Sequence, residues 1–235
     1  MATYADIEAK LTRLLGLDRA PIAINFCDAQ PTGVRKFTGQ VPSSCSFWKL
    51  AATAPPFYTV PSDHYNCAIG SYTHSIPLPK ERESELTDVL GFMARIGYVK
   101  MEEVPQIPRW SKTPAAIAYA RLADAPLPPD VVIVAGNGRA AMLLTEASLA
   151  AGVSSGMTLP RPTCAAVAAA YGRGTTLSVA CVGNRLYTDL PDDEIYAMIR
   201  GADLQAVVDA LANIVSANEQ LTSYHQGRTL KLLQI

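Results

Sequence analysis

Five cysteines and three histidines are the residues best suited to chemistry in this chain, and four of the cysteines fall into a pattern. PSSC at 42–45 and RPTC at 161–164 each place a thiol where a helical run begins, while Cys67 (Cys-Ala-Ile-Gly) and Cys181 (Cys-Val-Gly) each precede a small-residue turn. A helix start offers unpaired N–H groups and the positive end of the macrodipole, which favour thiolate, the form that binds a metal. Structural zinc usually takes closely spaced cysteine pairs of the C-x-x-C type, and this chain has none. Isolated thiols assembled by a fold suit a wider inorganic core, so the leading expectation is a 4Fe–4S cluster on Cys45, Cys67, Cys164 and Cys181, with haem or zinc as alternatives. Gly70 and Gly183 would let the backbone approach such a group. Arg185 would offset its charge or clamp a carboxylate. Cys27 has no counterpart and is left out of the set.

Histidine adds proton transfer to this chemistry. His64 and His74 lie in SDHYNCAIGSYTHSIPLP, a stretch rich in hydrogen-bonding groups around Cys67, and are candidates for proton carrier or axial haem donor. Gly136-Asn-Gly-Arg-Ala-Ala141 satisfies the G-x-G-x-x-A spacing of a dinucleotide-binding turn, with Arg139 adding charge. No acidic residue lies between Glu146 and Asp189 to hold a ribose, so a tight strand-to-helix turn is the better reading.

Positioning these residues requires alternating strands and helices. The spacing of Ile7, Leu11, Leu14 and Leu15 predicts an amphipathic first helix, and Pro21–Phe26 a short strand. Helices are expected at about 44–54, 81–96, 139–151 and 163–171, and strands at 57–60, 116–122, near 157 and at 175–182. Val131–Ala135 has no polar alternation, as befits a strand buried on both faces. Asp192-Asp193-Glu194 reads as the acidic start of a helix, and Asp203 as the cap of a last long one carrying Leu204, Val207, Val208 and Leu211. The 61–79 stretch reads as a loop with one strand inside it. The class is therefore α/β, or α+β, with a mixed sheet.

Four blocks recur in order: PIAINF with VVIVAG, PSSCSFWKLAA with RPTCAAVAAAY, NCAIGSY with ACVGNRLY, and ERESELTDVLGFM with PDDEIYAMI. They point to one domain over 1–235 built from two pseudo-repeated halves, about 1–112 and 113–235, with one thiol pair from each.

Composition bounds the partners. A chain of 235 residues, 49% hydrophobic, can bury a full core. Its net charge of −1 leaves no electrostatic footprint for nucleic acid or an anionic membrane, so a small-molecule ligand or a redox partner protein is expected, and a homo-oligomer is allowed. No run approaches the roughly 18 apolar residues of a membrane span, and the first residues lack the pattern of a signal peptide. Cytoplasmic placement with free thiols follows as the expectation.

On LLGLDRAPIAINF, SCSFWKLAA, DHYNCAIGSY, PPDVVIVAGNGRAAMLL and CVGNRLYTDLPDDEIYAMI the chain resembles the uncharacterised prokaryotic family called domain of unknown function 169. Cys45, Cys67, Cys164, Cys181, Gly183 and Arg185 fall on its recurring motif positions. The resemblance carries no established reaction, though the family's frequent occurrence in anaerobes accords with an oxygen-sensitive cluster. The expected function is thus an iron–sulfur protein, either an electron relay or a cluster-based reductase or lyase. Its alternatives are a haem- or small-ligand-binding module and a scaffold with structural thiols.

Overall fold

In the computed structural model, which describes residues 2–158 and 161–233, the chain runs α1 (Tyr4–Leu15), β1 (Ile22–Cys27), β2 (Arg35–Lys36), α2 (Ser46–Ala51), β3 (Phe57–Thr59), α3 (Ala68–Thr73), α4 (Ser84–Arg95) and β4 (Ala116–Arg121). It continues through β5 (Val131–Asn137), α5 (Gly138–Ala150), β6 (Ser155–Met157), α6 (Ala165–Arg173), β7 (Thr175–Ser178), α7 (Val182–Thr188), β8 (Glu194–Arg200) and α8 (Leu204–Leu233). The strands form one mixed eight-stranded sheet in the order β2-β3-β4-β1-β5-β8-β7-β6, so the fold is α/β as expected.

Strand alternation decides which helices lie on which face. Ile22, Ile24, Ile117, Tyr119, Val131, Ile133, Tyr196 and Met198 point to one side, where they meet Phe47, Trp48 and Ala51 of α2 and Ala166, Val167 and Ala170 of α6. Ala23, Val132, Val134, Ala197 and Ile199 point to the other, against α1, α5 and the first half of α8. Successive residues of β5 therefore enter different cores, which explains why this strand has no polar position until its end.

The first helix forms as its sequence predicts. Thr3 Oγ1 accepts from the Asp6 N–H, the Asp6 carboxylate accepts from the Thr3 N–H at 3.0 Å, and Gly16, at φ 65°, closes the helix in the left-handed region. Ile7, Leu11 and Leu15 are buried beneath it. Its Glu8 is buried too, accepting from Arg121 Nε at 2.6 Å and from the Ala123 N–H at 2.8 Å, and so ties α1 to the end of β4.

Several expectations are corrected. The Asp192-Asp193-Glu194 triplet does not start a helix: Glu194 opens β8, which pairs with β5 from Val131↔Arg200 to Asn137↔Glu194. The reason lies just downstream, where Tyr196 and Met198 enter one core and Ala197 and Ile199 the other, a two-residue period that outweighs the acids' helix preference. The fourth recurring block therefore matches a helix, α4, with a strand, β8. A division near 112 would fall ahead of β4, which pairs with β1 and β3. The 61–74 stretch holds no strand but a short 3-10 turn, Pro61–His64, and α3. β7 stops at Ser178, before Cys181.

The GNGR turn is a tight strand-to-helix turn. Asn137 Oδ1 caps α5 by accepting from the Ala140 N–H at 3.0 Å, and a Cβ at Gly136 would lie 2.9 Å from that of Ala140. No helix among the described residues is long and apolar enough to cross a membrane.

Removing the buried carboxylate leaves the Ala123 N–H without its acceptor, while half-exposed Arg121 turns to water. Glu8→Ala is expected to lower unfolding free energy by about 1–2 kcal/mol, read as an earlier urea midpoint with unchanged slope.

Candidate functional site

The four expected thiols do meet at one place: Cys45, Cys67, Cys164 and Cys181 all line a single cavity of about 440 Å³. Each reaches it from a helix start, Cys45 and Cys164 at the N-caps of α2 and α6, Cys67 and Cys181 at those of α3 and α7. The residue before each α2 or α6 cysteine braces the arrangement. Ser44 Oγ hydrogen-bonds His64 Nδ1 at 3.0 Å, and Thr163 Oγ1 accepts from the Cys181 N–H at 2.6 Å. Ser43 Oγ sits 2.9 Å from Cys45 Sγ and 3.7 Å from Cys67 Sγ, and Cys67 Sγ accepts from the Gly70 N–H at 3.2 Å.

Opposite the thiols the cavity is walled by mainly aliphatic and aromatic residues. Leu86, Leu90 and Met93, at helical spacing on α4, face it, with Tyr98, Val99, Val104 and Ile107 from the segment that follows. That segment is anchored by Tyr72 Oη, which donates to the Val104 carbonyl at 3.2 Å, and by Arg109 Nε, which donates to the Tyr72 carbonyl at 2.9 Å. Phe92, Ile96 and Val182 also border the cavity and are among the most exposed large apolar side chains of the protein.

Burial decides the protonation of the deeper thiols. It pushes Cys45 up to about 11 and Cys164 well above the ordinary thiol value, with the neighbouring cysteines opposing a second negative charge. Cys45 and Cys164, expected as thiolates, are therefore thiols at neutral pH: desolvation outweighs the partial charge of a helix end, and α2 has only six residues. Nor do the sulfurs form a coordination set. Among the described residues no group of three or more His, Cys, Asp or Glu side chains stands close enough together to hold a metal ion. The iron–sulfur function is overturned by that finding: the thiols line an apolar wall instead of converging on an inorganic centre.

The other expected residues are placed as follows. His64 and His74 are buried and line no part of the cavity; their ring centroids lie 5.5 Å apart. His64 is held between Ser44 Oγ and Thr59 Oγ1, the latter 2.8 Å from Nε2, and its carbonyl accepts from Ser71 Oγ. His74 packs edge-on against Phe26, and its Nδ1 has no partner. Burial holds His64 well below the usual histidine range, with His74 adding to the shift, and lowers His74 to about 4. Gly70 lies against Ser44, whose Oγ would be 2.4 Å from an added Cβ, so its small size serves packing. Gly183 borders the cavity, with only ordinary contact awaiting a Cβ. Arg185 faces elsewhere, donating to the carbonyls of Val179, Pro191 and Glu194 and binding α7 to the start of β8.

Two parts of the site were missed in sequence. The α4 wall was visible as a helix, but the repeat of Leu86, Leu90 and Met93 was not linked to the cysteines. Asn184, next to Gly183, is buried and lines the cavity with Nδ2 unpartnered. Its neighbours Gly183 and Arg185 are the sequence candidates on either side of it.

Comparison with known proteins places the chain by family. Residues 10–210 match DUF169, described as Uncharacterised ArCR, COG2043, and the chain belongs to that family. No curated protein and no solved structure matches it.

Two outcomes follow from the buried groups. Both histidines titrate below the unfolded value of 6.5, so the unfolded chain binds more protons as pH falls. The His74 contribution is full above about 6.5 and is lost as pH drops from there through about 4, at up to about 1.4 kcal/mol per pH unit, and His64 acts in the same direction. His74→Phe is expected to lose less stability than wild type between pH 7 and pH 5 in urea titrations. For the thiols, iodoacetamide at pH 8 is expected to alkylate Cys67 and Cys181 well before Cys45 and Cys164, and all four at similar rates in urea, as read by peptide mass spectrometry.

Proposed function

From a DUF169 chain with this cavity, we propose a small-molecule-binding protein that encloses a mainly apolar ligand between α4 and the four cysteine-bearing helix starts. The observation that carries the reading is the cavity itself. About 440 Å³ lies within the range of pockets that take small ligands, and its walls are aliphatic, aromatic and thiol side chains with few polar groups. A bound apolar molecule would remove from water the side of α4 that the protein alone leaves half covered, Leu90 being the one residue of that helix that is buried. Neutral thiols suit such a lining, because a protonated cysteine behaves as a small, polarizable hydrophobe.

The role is binding and release, with the ligand admitted past the α4 wall. We place it in a reducing, cytoplasmic setting, to which five free cysteines are suited. We further propose that the two thiol pairs descend from an internal duplication. In support, the strand order reads alike outward from the central β1–β5 pair: β4, β3, β2 on one side and β8, β7, β6 on the other. The pairing senses along the two arms also agree. The segment from α4 to the residues before β4 would then be an insertion peculiar to the first half, and it supplies the cavity's outer wall.

Fluorescence of 1,6-diphenylhexatriene, a hydrocarbon dark in water, tests the reading. Enhancement saturating at one dye per chain is expected, with Met93→Glu weakening it at least tenfold while leaving the unfolding midpoint unchanged. Absence of enhancement, or equal binding by the variant, would refute it.

A further inference from the structure

Apolar walls do not by themselves discriminate among hydrophobic ligands, so the few polar groups in the cavity set its chemistry. Most are already engaged. Thr163 Oγ1 holds the Cys181 N–H, Ser43 Oγ lies between two sulfurs, Tyr72 Oη is bonded to Val104, and Asn184 is buried against Cys45 and Tyr196. Arg161 differs from these. It is the one charged side chain among the described residues that line the cavity, and its donors are poorly used. Its Nε is buried without a hydrogen-bond partner, and its Nη2 lies 3.6 Å from Glu103 Oε2, beyond hydrogen-bond length. Glu103 is held by its own turn, where Oε2 accepts from the Lys100 N–H at 3.3 Å. The Arg161 guanidinium stands 4.9 Å from the centre of the Tyr98 ring, which positions the cation without taking any of its N–H groups. A positioned guanidinium with so little of its donor capacity engaged is suited to a planar acid.

Resting on the ligand-binding reading above, we infer that the occupant is an amphipathic molecule with one carboxylate, its apolar chain against Leu86, Leu90 and Met93 and its carboxylate on the Arg161 guanidinium. Exposure makes this placement affordable in solvation terms. The Arg161 side chain is 34% exposed, so it stands where the cavity meets solvent, and a headgroup there keeps part of its hydration. Charge number favours a carboxylate over a phosphate ester: one cation matches one negative charge, and the second charge of a phosphate would face Glu103 with no cation of its own. Glu103 acts as a competitor for Arg161. It approaches the guanidinium from outside the lining, and the ligand's acid replaces that long contact with direct hydrogen bonds.

Displacement of bound 1,6-diphenylhexatriene at pH 8 by octanoate, octylammonium and octyl phosphate reads the sign and number of charges with the chain held constant. Octanoate is expected to displace the dye at about 10-fold lower concentration than octylammonium, and at lower concentration than octyl phosphate. Arg161→Gln should bring the ratio of octanoate to octylammonium affinity down to about one. Glu103→Gln, which removes the competing acid, should tighten octanoate about 3-fold and weaken octylammonium. If the Arg161–Glu103 contact only straps the two walls together, both variants weaken all three ligands alike, and the inference fails. Octylammonium or octyl phosphate binding best to wild type would overturn it even if a variant does not fold. Those results leave the cavity reading intact. Failure of the dye itself to bind would remove both.

Discussion

The antiparallel register between β1 and β5 is the constraint from which the rest of the molecule is placed. Only three residue pairs, Ile22↔Ile133, Ala23↔Val132 and Ile24↔Val131, join the two four-stranded groups. Because adjacent residues in each strand enter opposite cores, a slip of one residue would turn Ile22 and Ile24 toward α1 and α8 and bring Ala23 beneath α2. That register sets α2 and α6 on one face of the sheet, and with them the two cysteines at their starts. The cavity is therefore a consequence of sheet pairing far from it. The thiols meet because β1 and β5 meet.

Once gathered, the cysteines are governed by water exclusion more than by their position on helices. The macrodipole favours thiolate with only a fraction of a charge at the end of an element six residues long in α2. Against it stands the transfer of a full negative charge into a region packed with Phe47, Trp48, Tyr119 and Val167. The second effect is larger, and Cys45 moves up to about 11 instead of down. The neighbouring cysteines further oppose ionisation of Cys45 and Cys164, so these two deeper thiols stay neutral and read as lining.

Much of the frame was legible in sequence because its signals are local. The Thr3–Asp6 cap, the unbroken apolar run of β5 and the cysteines opening helices each depend on a few consecutive residues. The errors have a common cause, namely that a segment's neighbours in space outweighed its own preference. Asp192-Asp193-Glu194 is a good helix start in isolation, yet it leads into residues that must alternate between two cores. The 61–79 stretch is polar enough for a solvated loop, but Ser71 and Thr73 bond to the backbone of His64 and Gly70, and with the two histidines they become a buried support. The histidines were read as chemically active because of their neighbourhood in sequence to Cys67. In space they stand behind that wall.

The polar atoms of the site can be sorted by whether their bonding is complete. His64 has partners on both nitrogens, and Arg185 holds three carbonyls. Groups so fully engaged fix geometry and have nothing left to offer a ligand. His74 Nδ1, Arg161 Nε and Asn184 Nδ2 are buried without hydrogen-bond partners, and of the three residues Arg161 and Asn184 border the cavity. An unpartnered atom enclosed by packed rings, as His74 is by Phe26 and His64, lowers a histidine's affinity for protons and weakens the fold in acid. Complete bonding thus fixes the frame around the cavity, whereas the unmet hydrogen bond of His74, enclosed among rings, surfaces only as a stability cost in acid.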